Sequence, residues 1–234
     1  MSFSYRRTDD RLTLRRPGTR WLSTGHGGGY RRADAAHNLT VPEGFERTDL
    51  DTYAAERLGD APAGPTRLTG VSQRHARGAS LGPVTAVATA GLSNPAALPM
   101  PPTGDGTPAG HGAEADWRPG TVNVFVASDE PLDDGGLAGL LATAVEARAA
   151  TLLDAAGVPG TTSDAVVVGC DPAADGTAFA GSATEVGAAA RACVREAVAA
   201  SLASRYDGES PPTPDAARYG VSTAAAADVF EPDG

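Results

Sequence analysis

Between residues 120 and 205 the chain spells out strand, helix, strand, helix, and that order narrows its fold more than any other feature. Gly120-Thr121-Val122-Asn123-Val124-Phe125-Val126 alternates with a period of two, as an extended segment does. Leu137, Leu140, Leu141, Ala144, Val145, Leu152 and Leu153 fall on one face of a helix of about 33 Å that stops at Gly157. Asp164-Ala165-Val166-Val167-Val168-Gly169 is a strand apolar enough to be covered on both faces. Ser182-Ala183-Thr184-Glu185 has the form of a capping box, and Val186, Ala190, Cys193, Val194, Ala197, Val198 and Leu202 continue it as an amphipathic helix. The alternation predicts an α/β fold, a layered mixed β-sheet with flanking helices, with an α+β sandwich as the alternative.

The first half is rich in strands. Arg11-Leu12-Thr13-Leu14-Arg15 alternates, Pro17-Gly18 turns, and Trp21-Leu22-Ser23 resumes, so a hairpin is expected there. Residues 35–41 and 66–71 read as short extended segments. Thr48-Asp49-Leu50-Asp51 opens a short helix that ends before Gly59. Pro83 to Gly91 reads as a further buried strand. One domain is expected over 11–206, after a flexible N-terminus at 1–10, with a long Pro- and Gly-rich loop at 96–119 and a mobile tail at 207–234.

Composition removes several classes of function. A net charge of −10 argues against a duplex-binding surface, although six arginines fall in the first twenty residues. Every basic residue is arginine, isoleucine is absent, and the acidic surplus suits a protein of a salt-rich cytosol. No uninterrupted run of about 18 apolar residues and no apolar leader follow Met1, so neither membrane nor export is expected and the chain reads as cytoplasmic. Cys170 and Cys193 read as small buried hydrophobes. The Ala-rich helix faces offer a surface for a homo-oligomer.

The histidines, His26, His37, His75 and His111, make no ligand-spaced pair, so no metal site is expected. Gly25 to Gly29 lacks the spacing of a phosphate-binding loop, and no Gly-x-Ser-x-Gly elbow occurs. What remains is a set of hydroxyl, amide and carboxylate groups at strand and loop ends: Ser23, Thr24, Ser93, Asn94, Thr161, Thr162, Ser163 and Asp164. Such groups suit acyl and amide chemistry, which needs donors for an oxyanion and a group that activates the attacker.

In combination, Trp21-Leu22-Ser23-Thr24 with its glycines, Ala88-Thr89-Ala90-Gly91-Leu92-Ser93-Asn94-Pro95, Gly120-Thr121-Val122-Asn123, Val145-Glu146-Ala147-Arg148, Gly160-Thr161-Thr162-Ser163-Asp164-Ala165 and Ala180 to Gly187 resemble the adenosylcobinamide amidohydrolase family, CbiZ, in the family's order over residues 11–206. The resemblance implies hydrolysis of the amide joining aminopropanol to a corrin side chain, giving adenosylcobyric acid and 1-aminopropan-2-ol in cobinamide salvage. It implies a corrinoid substrate whose cobalt arrives with it, and no cofactor of the protein's own. Asp164 is expected as general base or as the group that orients the attacker, with Thr24 or the amides of Gly27 and Gly28 at the oxyanion. Thr162 is a further candidate in the reaction, and Ser23, Ser93, Asn94 and Ser163 are expected to bind substrate. His26 and Gly27 depart from the family's Asn-Gly-Gly pattern, so His26 is given no role. A corrinoid carrier without hydrolysis is the second reading.

Overall fold

The computed structural model describes residues 2–103, 121–173, 175–212, 217 and 220–232. The strands β1 (Ser4–Arg7), β2 (Arg11–Ser23), β3 (Gly29–Thr40), β4 (Thr66–Thr69), β5 (Arg77–Leu81), β6 (Val84–Ala90), β8 (Val122–Pro131) and β10 (Ala165–Asp171) form one mixed sheet. Its order is β4-β3-β2-β10-β8-β6-β5, with β1 added beside the first half of β2. A second, small sheet joins β7 (Pro95–Ala97) to β9 (Gly160–Thr161) and β11 (Val221–Ser222). The layered mixed sheet expected from the sequence is therefore present.

Helix α2 (Asp134–Ala156) connects the parallel neighbours β8 and β10, the crossover that a strand-helix-strand unit requires. It starts on Asp133, whose side chain accepts from Gly136 N, and stops on Gly157 at φ 70°. By length and composition α2 is apolar enough to cross a membrane. Its apolar side is spent instead on the sheet, where Leu137, Leu140, Ala144 and Leu152 are fully buried. Helix α3 (Glu185–Arg205) packs beside α2 and against β6 and β5. Its cap is Thr184, which accepts from Gly187 N at 3.0 Å, rather than the expected Ser182. The short helix α1 (Leu50–Leu58) ends at Gly59 as expected, but its cap residue Asp49 gives its carboxylate to Arg47.

The expected hairpin at Pro17-Gly18 is instead one continuous strand. β2 runs through this point with a bulge between Arg15 and Thr19, and both of its halves pair with β3. The bulge bends β2, so β1 and the first half of β2 close over the other face of the sheet. There Phe3, Leu14 and Trp21 pack with Val87, Phe125 and Val167. The N-terminal residues, expected to be flexible, thus supply a strand and a buried Phe3. Residues 104–119 of the expected loop, Gly120 of the expected strand and part of the expected tail lie outside the described residues.

Where the curled sheet meets itself, polar side chains bridge the leaves. Asn38 Nδ2 on β3 donates to Thr89 Oγ1 on β6 at 2.9 Å, and Thr121 Oγ1 donates to Thr69 Oγ1 at 2.7 Å. Below them His37 donates from Nε2 to the Pro62 carbonyl at 2.8 Å and accepts from Thr13 Oγ1 through Nδ1 at 3.0 Å, which satisfies the neutral ring on both sides. Burial, opposed by the Pro62 hydrogen bond and aided by Arg11, holds its pKa below the ordinary 6.5. A histidine depressed in this way leaves the unfolded chain as the better proton acceptor, so its contribution to stability is full above about pH 6.5 and is lost as the pH falls below that value. His75 shifts in the same direction, chiefly through burial. The urea midpoint is expected to fall between about pH 7.5 and about pH 5.5, and to fall less in His37→Gln.

Candidate active site

Ser23 ends β2, and the chain turns back into β3 through a loop that only glycine can make. Gly25, Gly27 and Gly29 have φ of 85°, 59° and 107°, and a Cβ on Gly28 would lie 2.6 Å from the Ser23 carbonyl. Because β2 and β6 run antiparallel to β8 and β10, the ends of the first two meet the starts of the second two at one edge of the sheet. The candidate segments Ser23–Gly29, Ser93–Asn94 and Thr161–Asp164 therefore gather there.

A cavity of about 350 Å³ opens at this edge. It lies between the glycine loop, α1 with the segment after it, the start of β4 and the first residues of β8 and β10. Among the residues expected from sequence, Gly27 and Ser163 line it. His26 lines it too, with Nε2 3.1 Å from Asp51 Oδ1 on the opposite wall. Both groups are exposed, so the pair ties the glycine loop to α1 while staying open to solvent.

The most unusual group in the wall is Arg67 of β4. It is 4% exposed and has no carboxylate partner among the described residues. Its Nη2 donates to Ser23 Oγ at 2.6 Å, and its Nη1 donates to the carbonyls of His26 and Thr66, while Nε is buried without a partner. Burial, with the nearby Arg31 charge, pulls its pKa down to about 10, so near neutral pH it remains a cation among neutral dipoles.

Asn123 of β8 is the second. Its Nδ2 donates to the Leu68 carbonyl at 3.0 Å and to Asn38 Oδ1 at 2.9 Å. Since the Leu68 carbonyl can only accept, the amide orientation is fixed, and Oδ1 is left buried without a partner. One donor on Arg67 and one acceptor on Asn123 thus stand unsatisfied on residues that line the same cavity. Groups left in this state cost about 1–3 kcal/mol each.

The other expected residues stand behind the wall. Thr24 gives its backbone N–H to the Val166 carbonyl, and its hydroxyl accepts from Val166 N, both at 3.0 Å, so it extends the β2–β10 ladder. Asn94 Nδ2 donates to Thr162 Oγ1 at 2.6 Å and lies 3.4 Å from Ser163 Oγ, which braces the turn before β10. Ser93 is exposed outside the cavity wall. Asp164 is committed on every side. Oδ1 accepts from Val122 N at 2.8 Å and from the Thr161 hydroxyl, and Oδ2 accepts from Thr161 N at 2.9 Å and faces Arg148 Nη1 at 3.5 Å. A Cβ on Gly160 would sit 2.6 Å from Asp164 Oδ2, so glycine there permits the close approach. The carboxylate expected as a general base thus also clamps the starts of β8 and β10 together.

The family model described as adenosylcobinamide amidohydrolase, CbiZ, matches residues 4–210, which include every wall of the cavity. The chain belongs to this family. A relative named adenosylcobinamide amidohydrolase, from Halobacterium salinarum, is 53% identical over 229 residues, covering 96% of this chain and 97% of its own length. Another of the same name, from Methanosarcina mazei, is 28% identical over 179 residues, covering 71% of this chain and 81% of its own. The CbiZ likeness thus takes in the glycine loop, the strand starts and both long helices, the parts that build the cavity.

Sequence reasoning missed Arg67, Asp51 and the role of Asn123. Arg67 sits in Thr66-Arg67-Leu68-Thr69, where alternation alone suggests a solvated side chain. Asn123 carried a usable signal, since a polar residue between Val122 and Val124 in a strand covered on both faces must find partners within the core.

Proposed function

We propose that this CbiZ protein hydrolyses the amide joining 1-aminopropan-2-ol to the corrin side chain of adenosylcobinamide, releasing adenosylcobyric acid for cobalamin synthesis. Membership in the amidohydrolase family, with a relative so named at 53% identity along nearly the whole chain, is the observation that carries this reading. At about 350 Å³ the cavity is near the low end for small-molecule pockets, which suits one amide-bearing arm with the macrocycle resting outside.

In the proposed reaction a water oxygen bonds to the amide carbon, the carbon–nitrogen bond breaks, and the leaving nitrogen takes up a proton. The balance calls for water alone, with no cofactor. His26, oriented by Asp51, is placed at the cavity to take the proton of the attacking water, since imidazole is the side chain best suited to that task near neutral pH. Gly27 and Gly28 shape the loop that carries His26, Ser23 holds Arg67, and Ser163 lines the path of the substrate arm. Asn94, Thr162, Asp164 and Thr24 keep that wall in position, and Ser93 lies on the outer approach.

Purified protein in a high-salt buffer, incubated with adenosylcobinamide, is expected to release 1-aminopropan-2-ol in equal amount to adenosylcobyric acid. Corrinoid binding without any release of aminopropanol would contradict the reading and favour a carrier.

A further inference from the structure

We propose that Arg67 and Asn123 are the pair that recognises the scissile amide itself, Arg67 at its carbonyl oxygen and Asn123 at its N–H. This rests on the amide-hydrolase reading and adds to it the two residues that touch the reacting group.

The case is one of complementarity. A secondary amide presents one acceptor, the carbonyl oxygen, and one donor, the N–H. Two residues that line the cavity carry the converse, a guanidinium Nε–H without an acceptor and a carboxamide Oδ1 without a donor, both buried, on residues that are 4% and 0% exposed. Their remaining polar atoms are already spoken for. Arg67 is held by Ser23, His26 and Thr66, and Asn123 by Asn38 and Leu68, so neither is free to swing toward another partner inside the fold. Preorganised donors of this kind are the usual way an enzyme stabilises an oxyanion.

The absence of a carboxylate beside Arg67 among the described residues matters equally. A carboxylate would neutralise the cation before the reaction began. Without one among the described residues, the electron pair that moves onto the carbonyl oxygen as water attacks gains a full positive charge next to it, on a side chain that is itself 4% exposed. When that pair returns and the carbon–nitrogen bond breaks, the nitrogen, its N–H held by Asn123 Oδ1, takes the incoming proton on its lone pair and leaves as the amine. A neutral pair of hydrogen-bond partners would bind substrate and tetrahedral intermediate alike, whereas the guanidinium binds the intermediate more tightly.

The test compares the amide with an ester analogue of cobinamide in which oxygen replaces the scissile N–H. Arg67→Lys keeps the charge and loses the planar fork, and it is expected to lower kcat by about 100- to 1000-fold on amide and ester alike, because both carry the carbonyl. Asn123→Ala is expected to lower kcat/KM on the amide by about tenfold or more and to leave the ester within about twofold of wild type, because the ester has no N–H to lose. Should Asn123→Ala fail to fold, Asn123→Val fills the same buried strand position and is read by the same comparison. Equal losses on amide and ester in the Asn123 variant would assign it a purely structural role, and an Arg67→Lys protein with wild-type kcat would remove the guanidinium from the reaction. Either result overturns the proposal while leaving the amide-hydrolase reading intact. Failure of the wild-type protein to cleave the amide overturns both.

Discussion

Asp164→Ala is expected to lose about 3–5 kcal/mol of stability, the effect of removing one partner from a buried ion pair. The carboxylate joins Val122 at the start of β8 to the Gly160–Thr161 strand β9 and to Arg148 on α2. Without it, two backbone N–H groups and a hydroxyl lose their acceptor, and Arg148, whose Nε already lacks a partner, keeps its charge in a largely buried place. Measured against the 5–15 kcal/mol that holds a typical domain folded, such a loss is a large fraction. Urea unfolding of the wild type and the variant gives the difference directly.

Asp164→Asn separates support from catalysis. Asparagine preserves the volume and one acceptor, so the variant is expected to fold with a smaller loss. If Asp164 acts as a positioning residue, the pH profile of kcat/KM keeps its shape and only its height falls. If the carboxylate instead takes a proton from water, the acidic limb of that profile disappears with it.

Much of the framework could be read from the chain because its signals are local. The spacing from Leu137 to Leu153 predicts α2, and the apolar runs at Val84–Ala90 and Ala165–Cys170 become the interior strands β6 and β10. The errors in the framework also have local causes. Pro17-Gly18 has the chemistry of a turn, yet the bulge lets β2 absorb both residues and keep its pairing with β3. Ser182 and Thr184 both offer a capping hydroxyl within three residues, and only the backbone path decides that Thr184 reaches Gly187.

The site was less legible because its chemistry depends on contacts between distant residues. Arg67 becomes unusual only through Ser23, forty-four positions earlier, and through the lack of a carboxylate around it among the described residues. His26 gains meaning from Asp51 on a helix twenty-five positions away. Asp164 lies before a buried strand at the edge where the cavity opens, and its bonds to Thr161 three residues back form a turn that engages both of its oxygens. Hydroxyls at strand ends marked the edge of the sheet where the cavity opens. They were poor markers of which atoms face the cavity.

The central claim is that the amide enters the cavity beneath the glycine loop, and filling that cavity tests it. Ala54 on α1 is half-buried and lines the same cavity as Asn123 and Ser163, so the side chain of Ala54→Trp takes up volume the substrate arm needs. The position lies outside the main core, so the thermal midpoint is expected to stay close to that of the wild type while release of 1-aminopropan-2-ol from adenosylcobinamide falls by at least about 100-fold, as expected when a reacting group is kept from its catalytic geometry. A folded Ala54→Trp protein that releases aminopropanol at the wild-type rate would contradict the account, because the reaction would then be taking place elsewhere.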